Sequence, residues 1–113
     1  MDSILTSIKK LLGIAEEYEQ FDTDLIIHIN SAFSTLTQLG IGPEEGFFIE
    51  DETATWSNYI QDNNMLGHVK TYVFLKTKVL FDPPTSATIL EAYNRSIIEL
   101  EFRLTVTRDS KIK

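Results

Sequence analysis

Residues 82–84, Asp82-Pro83-Pro84, constrain the fold more than any other stretch of the chain. Neither proline donates a backbone hydrogen bond, and each biases the residue before it away from helix. A helix arriving from the N-terminal side must therefore stop near Phe81 or Asp82. A second helix follows, capped by Thr85 or Ser86 and continuing to about Thr107. It carries Ile89, Leu90, Tyr93, Ile97, Leu100 and Leu104 as one stripe. Its other side carries Ile98, Phe102 and Val106, spaced by four, where a solvated helix would place polar residues. Glu91 with Arg95, and Glu99 with Arg103, are favourably oriented i,i+4 pairs worth a few tenths of a kcal/mol each. A helix with two apolar sides needs two partners.

The same periodicity gives the rest of the fold. Ser3 caps a first helix that starts at Asp2 or Ser3 and reaches Leu12; Ile4, Leu5, Ile8, Leu11 and Leu12 recur at helical spacing and Gly13 stops it. A second start signal at 21–24 opens a helix to Gly40 with Leu25, Ile29, Ala32, Phe33, Leu36 and Leu39 on one face and Ile27 roughly opposite. A third spans about Asn64 to Phe81 on Met65, Val69, Tyr72, Val73 and Leu80. Lys76 interrupts that face, its stem lying on the core and its ammonium reaching water. Phe74 and Phe81 point to the far side. The expectation is an all-α fold: a small bundle of about four helices in a single domain over 1–107, with a polar tail at 108–113 that frays.

Between the second and third helices lies a long connection, 41–63, rich in glycine and acids. "FFIE" reads as briefly extended and "TATWSNYI" as a short helical turn carrying Trp56 and Tyr59. Long unstructured connections are uncommon in compact domains unless they bind something, so the segment is either an interaction surface or an excursion anchored by Trp56. Residues 44–62 hold Glu44, Glu45, Glu50, Asp51, Glu52 and Asp62 without a lysine or arginine, and the whole chain of 113 residues has a net charge of −7. A protein that grips phosphate would show clustered positive charge, so tight DNA binding is disfavoured, as is a helix-turn-helix binder, which needs a basic recognition helix.

No chemistry announces itself. With no cysteine there is no thiolate or disulfide framework, and His28 and His68 are too far apart in sequence to form a metal-ligand spacing. His28 reads as a packed structural residue. "EDET" lacks the alternation of a calcium loop, "GIGPEEG" is neither a Walker loop nor a dinucleotide fingerprint, and no serine sits in a GxSxG context. The expectation is no catalytic residue, no cofactor and no metal. No apolar run approaches a membrane span, and the N-terminus lacks the order of a secretory signal, which suggests a cytoplasmic site of synthesis and no membrane partner.

The segment "YVFLKTKVLFDPPTSATILEAYNRSIIELEFRL" resembles the head–tail connector proteins of tailed bacteriophages and prophages. The upstream "IKKLLGIAEEYEQFDTDLIIHINSAFSTLTQLGIG" is similar to the family's opening, a short helix ending in Leu-Gly-Ile and an aspartate-capped helix leading to a glycine-rich loop. The resemblance implies a non-catalytic subunit of a ring, commonly of twelve copies, that sits below the portal protein. DNA passes transiently and non-specifically through its centre, and the tail or a stopper protein assembles on it. It further implies a virion protein assembled in the host cytoplasm. Carried onto this chain, Phe74, Phe81, Ile98, Phe102 and Val106 become the expected subunit interface. Glu44, Glu45, Glu50, Asp51 and Glu52 become a partner-docking loop whose acids repel DNA, and Asp82, Pro83 and Pro84 the helix-breaking turn. The tail reaches adjacent proteins by ordering on binding. The alternative is a small helical protein-binding adaptor or regulator of phage or prophage origin that uses the Phe102 side without forming a ring.

Overall fold

The computed structural model describes residues 3–61 and 63–112; Asp2, as a candidate helix start, and Asp62, in the acidic stretch, lie outside them. The elements are α1 (Ile4–Leu12), α2 (Asp22–Gln38), α3 (Trp56–Tyr59), α4 (Asn63–Phe81) and α5 (Ala87–Ile112). The fold is all-α: among the described residues the only extended pairing is an isolated antiparallel bridge between Ser3 and Thr55. α4 is the central helix, packed against α2 on one side and α5 on another, with α1 touching both α2 and α4.

The helix ends follow from local chemistry. The Ser3 hydroxyl accepts from the Thr6 N–H at 3.1 Å, and Gly13 at φ +80° turns the chain out of α1 as only a residue without Cβ does freely. α2 departs from expectation at its start. Its first residue is Asp22, preceded by Phe21, which offers no side-chain cap. The Asp22 carboxylate is instead drawn to the Lys9 ammonium at 2.9 Å. Lys9 is only 2% exposed, and its other hydrogen bonds go to the carbonyls of Glu16 at 2.9 Å and Tyr18 at 2.7 Å. One buried ammonium thus folds the α1–α2 connection against both helices. Its hydrogen bonds offset the desolvation of the charge.

The 41–63 connection is not a free excursion. Phe33 of α2 lies fully buried, with the rings of Tyr59 at 4.7 Å, Phe47 at 5.0 Å and Trp56 at 6.2 Å around it. Polar contacts then fix the backbone. The Asn30 amide clasps Ile49, donating to its carbonyl at 2.9 Å and accepting from its N–H at 2.8 Å. The Trp56 indole donates to Ser7 at 2.9 Å, and the Tyr59 hydroxyl donates to the Ile41 carbonyl at 3.2 Å. Burial pushes the Tyr59 phenol well above its ordinary pKa. Gly42, at φ +84°, lies so close to the Tyr59 ring that a Cβ there would meet it at 2.6 Å.

α5 also runs further than expected. The helix continues through 108–112 to Ile112; Lys113 lies outside the described residues. Once a helix exists, each further residue adds a hydrogen bond, and here the extension is tied down. The Arg108 guanidinium donates to the Leu39 carbonyl at the end of α2 and pairs with Asp109 at 2.6 Å. Further back, the Tyr72 hydroxyl donates to Glu101 at 2.7 Å. Burial first, and then the Glu101 carboxylate, push the Tyr72 phenol upward.

Candidate functional site

α5 divides into two faces. Ile97, Leu100 and Leu104 are buried against the rest of the chain, and Leu90 and Tyr93 are half buried beside them. On the other face Ile98 is 66% exposed, Phe102 68% and Val106 47%. At 1.5 Å of rise per residue these three span about 12 Å of helix, so they form a stripe rather than scattered positions. Complete burial of a side chain of this size is worth about 1.5–3 kcal/mol, a gain this chain by itself leaves unrealised.

The stripe is flanked by two shallow grooves between α4 and α5. One, of about 390 Å³, runs between His68 of α4 and Phe102 and Val106 of α5. The other, of about 240 Å³, is lined by Lys76, Val79, Leu80, Asn94, Ile97 and Ile98. Lys76 lays its ammonium 6.0 Å from the Tyr72 ring centre, a cation–π approach that fits a stem on the core and a head toward water. On the outer surface the Glu91–Arg95 and Glu99–Arg103 pairs close at 3.0 and 2.8 Å, both exposed.

Phe74 and Phe81 do not share this face. Both are half buried against the core, and Phe81 meets Phe21 edge-on at 5.2 Å and His28 at 6.4 Å. α4 is flanked by both α2 and α5, which cover part of its second apolar side within the chain. His28 is half buried in that packing. The periodicity also misassigned Leu80, Ile89 and Leu11, placed on core faces but found exposed. Each sits at or near a helix end, where the neighbouring helix no longer covers it.

Glu44, Glu45, Glu50, Asp51 and Glu52 are all exposed. Glu44 and Glu45 form the tip of a turn closed by the Gly46 N–H donating to the Pro43 carbonyl at 3.0 Å. Asp51 accepts from the Thr53 hydroxyl at 2.5 Å and its N–H at 2.9 Å, and these bonds, hydroxyl first, hold its carboxyl below the usual range. The helix-breaking turn is a small ordered unit. The Asp82 N–H completes the last turn of α4 on the Lys78 carbonyl at 2.9 Å, and its carboxylate pairs with the Lys78 ammonium at 2.8 Å. After the prolines, Ser86 accepts from the Ile89 N–H at 3.3 Å.

One residue escaped the sequence reading. Phe48 is 72% exposed, whereas Phe47 beside it is half buried on Phe33 and Tyr59. The signal was present in "FFIE": successive residues of extended chain face opposite ways, so two adjacent phenylalanines cannot both point inward.

Among the described residues, no helix is long and apolar enough to cross a membrane and no group of His, Cys, Asp or Glu gathers to hold a metal. No curated protein and no solved structure matches the chain. Residues 4–111, from the first residue of α1 almost to the last of α5, match the phage connector protein family, and the chain belongs to it.

Proposed function

We propose that the protein is a non-catalytic head–tail connector subunit whose copies form a ring below the portal. DNA leaves through the centre of that ring, and the tail or a stopper protein builds on its far side. Family membership supplies the connector role. The observation that supports assembly is the bare stripe of Ile98, Phe102 and Val106 on a helix whose other face is already buried. Neighbouring copies would cover it, and a heterologous interface that closes by rotation makes a ring. The acids suit a wall along which DNA must move: a net charge of −7 repels phosphate, and every phosphate contact avoided is one less brake on exit.

The test is to mix the protein with its cognate portal protein and image the product by negative-stain electron microscopy. Rings on the portal are expected. Phe102→Asp should retain the helical circular-dichroism spectrum and yield no ring. A wild-type chain that stays monomeric with the portal present would overturn the reading and leave the adaptor role in its place.

A further inference from the structure

A closed ring of more than two copies needs two different patches on each subunit, because one face must receive what its neighbour's other face presents. The α4–α5 groove is one such patch. We propose that the second is the tip of the 46–50 segment, with Phe48 of one copy seated in the groove of the next between Leu80 and Ile98. This rests on the ring reading above and names the contact that would build it.

Shape and rigidity favour this pairing. Phe48 is the most exposed of the large apolar side chains among the described residues, yet its backbone is fastened on both sides. Phe47 packs on Phe33, and the Asn30 amide holds both polar backbone groups of Ile49. A fixed knob loses little freedom on docking. The groove, about 240 Å³ and largely apolar, has room for a phenyl ring, since a cavity of about 150 Å³ suffices to hold benzene.

Charge selects the direction. The residues lining the groove include one cation, Lys76, and no acid. Among the described residues Lys76 faces the Tyr72 ring rather than a carboxylate. Phe48 is flanked by the exposed acids Glu45, Glu50 and Asp51, with no lysine or arginine anywhere from 44 to 61. Loop against groove brings carboxylates to the ammonium. Loop against loop sets acid on acid, and groove against groove sets Lys76 on its own copy, so both symmetric pairings are penalised.

The chain has no cysteine, which permits a direct test. The double variant Phe48→Cys with Ile98→Cys alters two exposed positions; circular dichroism checks that it keeps the wild-type fold. It is incubated with the portal protein under mild oxidation, and its disulfides are mapped by peptide mass spectrometry. Disulfide-linked multimers beyond the dimer are expected, with the peptide containing position 48 joined to the one containing position 98. Each single variant carries one thiol and cannot exceed a dimer. If wild-type rings form on the portal but no 48–98 linkage appears, this contact is wrong and the connector reading stands. If the wild-type chain forms no ring, the ring reading falls and takes this contact with it.

Discussion

The 41–61 segment and the outer face of α5 invert the usual pairing of regular backbone with burial. The segment has hardly any regular structure, yet it inserts Ile41, Ile49, Trp56 and Tyr59 into the core and is pinned by side chains from α1 and α2. α5 is the longest helix of the fold, and its face of Ile98, Phe102 and Val106 is exposed to solvent. Regular backbone and burial are therefore separate properties. Hydrogen bonds within a helix satisfy its backbone wherever it lies, so α5 can keep a bare face. An irregular segment must find partners for its polar groups, and here it finds them on the core.

The contrast can be broken experimentally, and the largest effect is expected at its centre. Phe33→Ala removes the ring around which the 41–61 segment is built and should lower unfolding free energy by about 3–5 kcal/mol in urea titrations. A loss below 1 kcal/mol would mean that the segment does not depend on that ring. Asn30→Ala leaves both backbone groups of Ile49 without their partner and should cost about 1–3 kcal/mol, with faster amide exchange at Ile49. Gly42→Ala places a methyl against the Tyr59 ring in the left-handed region and should cost about 1–3 kcal/mol. Gly13→Ala, where nothing lies within 4 Å, should show only the backbone part of that loss. On α5, Phe102→Ser should change monomer stability by no more than about 0.5 kcal/mol, because the ring touches mainly water. A larger loss would mean that the outer face already has a partner within the chain.

Much of this was legible in the residues. Ser3 and Gly13 bracket α1, the prolines end α4, and the i to i+4 spacing of Ile98, Phe102 and Val106 marks a second apolar face because nothing local could explain it. Other features were not. The sidedness of Phe74 and Phe81 depended on knowing that α4 is the middle helix, a tertiary fact that periodicity does not carry. The aspartate cap expected on α2 gave way to Lys9, thirteen residues upstream of Asp22, which claimed the carboxylate. The bond from Arg108 near the end of α5 reaches a carbonyl of Leu39 that is distant in sequence. These three features turn on contacts between elements that the chain separates.

The pairings of Tyr72 with Glu101 and of Arg108 with Leu39 have a consequence for how α5 is set about its own axis. Oil on one flank of a rod is chemically interchangeable with oil on the other, and the aversion of water for both is blind to which is hidden. A carboxylate and a guanidinium that each reach a partner on another element are not blind. They act as two index pins on a dial, and the azimuth they select decides which row of side chains the molecule keeps and which it shows to the world.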